Sequence, residues 1–270
     1  MLDMKPLAIL LALLLLFGAC SNQSKNKSDE KLIADSSATT ESESDTVAID
    51  RYVKEIKSKI PRLNYKRSLQ YNLGDYTFDI STYFDNDNKQ IALIEDGHRG
   101  EYGYRRLSVY YKNEHPVFAE VNEKAAMGSN NQYTEAKVYF KPNLKVIKAL
   151  ERKSLIENNI QDIPFTPFVP DTLGYVEKAS FFKRVIDQTG EFDLPFEEIK
   201  KIDSREYLIL GKNDPNSYHV KLLILAPDST IKKLKANQAA FKGKKLGLTW
   251  DYENSKGYES LVYKSGQIHY

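Results

Sequence analysis

The sequence predicts a mainly β protein with a few helices (α+β): an antiparallel β-hairpin meander with an N-terminal helix, then a small β-rich sheet or barrel domain. Three observations predict it. All eighteen tyrosines lie after residue 50, which marks where foldable composition begins. Beyond that point apolar residues alternate with period 2 over short runs bounded by Asn, Asp, Gly and Pro. Three segments, TYFDNDNKQI, VYYKNEHPVF and VYFKPNLKVI, also share one form: a small or β-branched residue, an aromatic pair, a polar turn and a returning strand.

The elements follow in order. In IDRYVKEIKSKIP, residues Ile49, Val53, Ile56 and Ile60 fall on one helical face, and Pro61 stops the helix. YTFDISTYF then alternates Phe78, Ile80, Thr82 and Phe84, DNDN makes a turn, and KQIALIED runs back. The aromatic pairs Tyr83–Phe84, Tyr110–Tyr111 and Tyr139–Phe140 are spaced by 27 and 29 residues, which predicts three consecutive hairpins with the helix laid on them. Pro116 and Pro142 belong at turns or strand starts, since neither can donate to a ladder. IPFTPFVPD reads as an extended linker or rigid loop and places a domain boundary near residue 161. Leu173, Val176, Ala179, Phe182 and Val185 have helical spacing. EYLILG, YHVKLLILAP, KKLGLTWDY and ESLVYKSGQI then read as strands, with NDPN, ENSKG and KSG as turns.

Ahead of this lies a different composition. Leu7 to Phe17 is an unbroken apolar run preceded by Lys5 and followed by Gly18 and Ala19. Its length is about half the roughly 20 residues a membrane-spanning helix needs, and its flanks are those of a secretory signal peptide. The sole cysteine, Cys20, ends it. FGAC at Phe17–Cys20 resembles the lipobox of bacterial lipoproteins, with Phe17 where Leu is usual. The resemblance implies cleavage before Cys20, acyl chains on Cys20, and attachment to a lipid membrane in the cell envelope, with the outer membrane as the expected site and either its periplasmic or its surface face as the outlook. Two or more acyl chains hold a protein stably, whereas one does so only marginally.

Residues 21–48 contain three lysines, six acids and no aromatic residue, a composition expected to stay disordered. The expected organisation is therefore a signal peptide over 1–19, a lipid anchor and disordered tether over 20–48, a helix plus hairpin domain over 49–160, and a C-terminal α+β domain over 161–270. Residues 49–270 carry 35 basic against 30 acidic side chains, too mild and dispersed an excess for a nucleic-acid partner.

No catalytic, cofactor or metal constellation is legible. His98, His115, His219 and His269 lie at least seventeen residues apart, with none of the compact metal spacings. There is no phosphate-cradling glycine loop and no GxSxG. Glu95–Asp96 and Glu197–Glu198 are adjacent pairs, and neighbours on a strand point to opposite faces, so neither pair alone spans a hydrolytic cleft. The local oddity is EDGHRGEYGYRR, with Gly97, Gly100 and Gly103 at every third position among His98, Arg99, Tyr102, Tyr104, Arg105 and Arg106. A mobile basic-aromatic loop of this kind suits an acidic glycan or a partner protein; the alternative is a long hairpin loop whose tyrosines pack back on the sheet. The function expected is a non-catalytic binding or structural module for glycan, peptide or another envelope protein. A cell-wall or polysaccharide hydrolase is the alternative, marked by a concave cleft with two facing carboxylates.

Overall fold

A computed structural model describes residues 36–212, 214–255 and 257–269. The signal segment, the lipobox and Cys20 lie outside the described residues.

The first helix, α1 (Ser36–Lys59), is longer than the apolar spacing indicates and begins inside the segment expected to be a tether. Its seam continues one step back from Ile49 to Thr46, which is buried although polar. A 3-10 turn with Pro61 closes the helix, since proline cannot continue it. Short β1 (Asn64–Arg67) and β2 (Tyr71–Leu73) both pair with β3 (Tyr76–Phe84). From there β4 (Gln90–His98), β5 (Tyr104–Lys112), β6 (His115–Met127), β7 (Asn130–Phe140) and β8 (Val146–Ser154) each run antiparallel to their predecessor.

The three repeated aromatic pairs have a structural meaning. Each coincides with a register shift: between Tyr83 and Phe84, between Tyr110 and Tyr111, and between Tyr139 and Phe140. Neighbours on a strand point to opposite faces, and the second and third pairs divide between two cores. Tyr83, Tyr110 and Tyr139 meet Val53 and Ile56 of α1, while Tyr111 and Phe140 join the larger cluster on the opposite face. Burying Val53 and Ile56 stabilises this docking by about 1.5–3 kcal/mol each. Tyr139 Oη donates to Asp50 at 2.9 Å, and Lys57 pairs with Glu120 at 2.6 Å, fixing the helix lengthwise.

The proline-rich segment is not a domain boundary. Its Thr166–Pro167 forms β9 on the outer edge of β8, where a missing N–H costs nothing to the ladder. Helix α2 (Thr172–Asp187) follows and packs Phe182 and Val185 on the large core. The chain then adds β10 (Phe196–Ile202), β11 (Arg205–Leu210) and β12 (His219–Ile224) to the same sheet, whose order is β10-β11-β12-β2-β3-β4-β5-β6-β7-β8-β9. His219 and Val220 of β12 pair with Asn72 and Tyr71 of β2. The expected second domain with its own curled sheet or barrel is thus a continuation of the first, and one core cluster spans Ile80, Leu107, Phe182, Leu208 and Leu222.

Two short helices complete that face: α3 (Ser229–Ala236), whose first turn is capped by Asp228 accepting from the Ile231 amide at 2.9 Å, and α4 (Gln238–Phe241). The last hairpin joins β13 (Leu246–Ser255) to β14 (Tyr258–Ile268), so the expected KSG turn lies within a strand. β14 meets β12 in parallel through Leu223 and Ile224. Arg67 ties the hairpin to the meander, 2.7 Å from both Asp79 and Glu259 and stacked 3.5 Å over the Tyr252 ring. On the outer edge of β10, the Gln238 side chain occupies the backbone of Ile199, accepting from its amide at 2.5 Å and donating to its carbonyl at 3.3 Å.

Candidate functional site

The segment EDGHRGEYGYRR is mostly strand. Glu95 to His98 end β4, Tyr104 opens β5, and the register pairs Asp96 with Arg106, Gly97 with Arg105 and His98 with Tyr104. Only Arg99–Gly103 form the tip, closed by the Arg99 amide donating to the Gly103 carbonyl at 2.8 Å. Neither the long mobile loop nor the long packed-back loop is found. The glycines serve packing: a Cβ on Gly97 would lie 1.9 Å from the Tyr76 hydroxyl, and one on Gly103 would lie 2.3 Å from the Lys124 carbonyl oxygen.

Strand alternation divides the six residues. Arg105 points to the α2 side, together with Glu95 and its cross-strand partner Glu123. Arg106 turns to the α1 side and pairs with Asp96 at 2.9 Å. His98 is exposed beside it in register with Tyr104, whose hydroxyl reaches Glu157 at 3.5 Å. Arg99, Tyr102, Tyr104 and Arg105 line a cavity of about 790 Å³ between the sheet and α2; His98 and Arg106 do not. That volume falls within the roughly 300–1,000 Å³ of small-ligand sites.

The inner wall is charged. Glu95 is 3% exposed. Its Oε1 accepts from Tyr76 Oη at 3.1 Å, and its Oε2 has no hydrogen-bond partner but faces Lys178 Nζ at 3.6 Å. Burial lowers the pKa of the Lys178 ammonium, partly offset by Glu95. Burial, reinforced by the Glu95 carboxylate, pushes the Tyr76 hydroxyl far above its usual value, so it stays a donor. Tyr76 is held in place from two sides, stacked on Phe78 at 5.5 Å and covered by the Arg99 guanidinium at 5.5 Å. Arg105 Nε is buried without a hydrogen-bond partner. From α2, Phe181 and Arg184 complete the wall, Arg184 being engaged by Glu191 at 3.0 Å.

Sequence reasoning missed Tyr76, Glu95 as a cavity residue, Glu123 and Lys178. Gly97 and Gly103 carried a signal for the first of these, because glycine at a strand end marks close approach of another group. Lys178 sits among helical apolar positions and carries no such mark. Among the described residues, no group of three His, Cys, Asp or Glu is placed to hold a metal ion. Also among them, no helix is long and apolar enough to cross a membrane. Glu197 and Glu198 bind Lys242 and Lys200 at the surface.

The arrangement can receive a polar ligand through a fork of guanidinium donors, with carboxylates as acceptors and tyrosine rings at the mouth. Comparison with protein-family models, with curated proteins and with solved structures finds no match for the chain.

Proposed function

We propose that this chain is a lipoprotein of the bacterial cell envelope, anchored in a membrane through acylated Cys20, whose folded body is a non-catalytic binding module. The ligand, a glycan, a peptide or a segment of another envelope protein, enters the cavity between the β4–β5 hairpin and α2. The supporting observation is the buried Arg105 Nε, which has no hydrogen-bond partner, beside Glu95 Oε2, which has none either and faces only the Lys178 ammonium at 3.6 Å. Leaving a buried polar group unsatisfied costs about 1–3 kcal/mol, and more when it is charged. A ligand that supplies the missing partners recovers that energy on binding.

The test is retention of envelope fractions on the immobilised body, wild type against Ala125→Trp, which fills the cavity from the end of β6. Selective retention by the wild type, with equal melting temperatures, supports the reading. Equal retention by both proteins refutes it.

A second reading, a polysaccharide hydrolase, is favoured by Glu95 and Glu123 lining the same cavity, since glycoside hydrolysis uses two carboxylates about 5–9 Å apart. Glu95 has its Oε1 taken by Tyr76 and its Oε2 facing Lys178, which suits holding a ligand better than donating a proton. New reducing ends released by the wild type but not by Glu123→Gln would favour the enzyme.

A further inference from the structure

We propose that the cavity receives the carboxylate of a uronic-acid sugar on Arg105, so that the ligand is an acidic saccharide. The proposal rests on the reading of this cavity as a ligand site. Five cationic side chains line it against three carboxylates. Arg184 is engaged by Glu191 and Lys178 faces Glu95, whereas Arg99 and Arg105 make no ion pair among the described residues. Glu123 stands opposite Arg105 in register yet outside ion-pair distance, so the guanidinium fork keeps its donors.

A planar fork matches a planar carboxylate through two parallel hydrogen bonds. Glu95 and Glu123 beside it disfavour a doubly charged phosphate, because a like charge close by is repelled most where water is thin. A single negative charge is therefore selected. The rest of the wall mixes rings with hydrogen-bonding groups, as a sugar requires. Tyr76, Tyr102, Tyr104 and Phe181 supply aromatic carbon that suits the apolar face of a sugar ring. The carboxylate of Glu123 is available to accept from sugar hydroxyls. Tyr102, 71% exposed at the tip, offers a ring against which the next sugar can lie.

The experiment is calorimetric titration of the folded protein with trigalacturonate, its fully methyl-esterified form, inorganic phosphate, and a tripeptide with a free carboxyl terminus. Trigalacturonate should bind saturably, and esterification should weaken it by about 10- to 100-fold, the range expected for losing charge-assisted hydrogen bonds. Arg105→Lys keeps the charge but not the fork and should weaken binding by about 10-fold. Arg106→Gln, on the opposite face, should leave it unchanged. Equal binding of acid and ester, or wild-type affinity in Arg105→Gln while Ala125→Trp loses it, overturns the acidic-sugar assignment and leaves the cavity reading intact. Preference for the tripeptide or for phosphate, or no saturable uronate binding at millimolar concentration, overturns it as well. Wild-type affinity in Ala125→Trp refutes the cavity reading itself.

Discussion

Replacing Gly97 by alanine tests the packing beneath the cavity. The added Cβ would lie 1.9 Å from Tyr76 Oη and 2.4 Å from its Cζ, so the ring must move. It cannot move freely, because Phe78 lies on one side and Arg99 on the other. Overpacking of this kind costs about 1–3 kcal/mol. Displacing the ring also breaks the 3.1 Å hydrogen bond to Glu95, and bonds to a charged acceptor contribute about 1.5–3 kcal/mol. Because part of the strain is relieved by breaking the bond, the total expected is about 2–4 kcal/mol, a fall in melting temperature of about 5–15 °C.

A double-mutant cycle isolates the cause. In a Tyr76→Ala background the obstruction is gone, and Gly97→Ala should cost nothing, or stabilise by about 0.5–1 kcal/mol as alanine does over glycine within a strand. Thermal and denaturant unfolding of the four proteins gives the coupling energy. An equal cost of Gly97→Ala in both backgrounds would refute the argument, as would a wild-type melting temperature for the single variant.

His219 is buried, with burial and the nearby Lys221 lowering its pKa from the ordinary value. The unfolded chain then binds a proton more readily than the folded one, so stability is complete above about pH 6.5 and is lost as pH falls toward the folded value; melting at pH 8 and 5.5 should show a larger drop for wild type than for His219→Gln. Gln238→Ala uncovers the Ile199 amide on the edge of β10 and should promote self-association, visible as a concentration-dependent mass by light scattering; a monomeric variant at all concentrations would contradict this. Cys20→Ser should leave the body folded and abolish incorporation of a labelled fatty acid in cells, and equal label on both chains would exclude lipidation. Digestion with a glutamate-specific protease should leave a resistant core that starts well before Ile49, because α1 begins at Ser36 and Thr46 is buried; a core starting after Glu55 would show that the helix is not docked.

What was legible in the sequence was local. The three hairpins could be read because each aromatic pair repeats a short pattern within one strand, and the same pairs mark the register shifts of the meander. The single sheet could not, because Asn72 and His219 meet from 147 residues apart, and no period within a strand reports its partner. The proline segment reads as a boundary for the same reason: it leaves one edge of the sheet, and α2 carries the chain across a face before β10 starts the other edge. The start of α1 was hidden because Thr46 continues the apolar seam with a polar residue. Of the six residues that composition singles out, Arg99, Tyr102, Tyr104 and Arg105 line the cavity, whereas His98 and Arg106 lie off it, because composition is blind to strand parity. Lys178 comes from a helix that approaches only in the folded chain.

Strand parity also determines which changes of length the hairpin survives. Arg105 and Arg106 differ by one position, yet one enters the cavity and the other pairs with Asp96 on the far side. With Leu107 held in the core, a single residue inserted between Arg106 and Leu107 would move both back one place, bringing Arg106 to the cavity opposite Glu123 and turning Arg105 to the far side opposite His98. A two-residue insertion restores the orientation, and residues added between Arg99 and Gly103 leave it untouched. In chains descended from this one, the strands of the hairpin should lengthen or shorten in even steps while the tip varies freely, and a loop grafted onto this scaffold should be spliced at the tip.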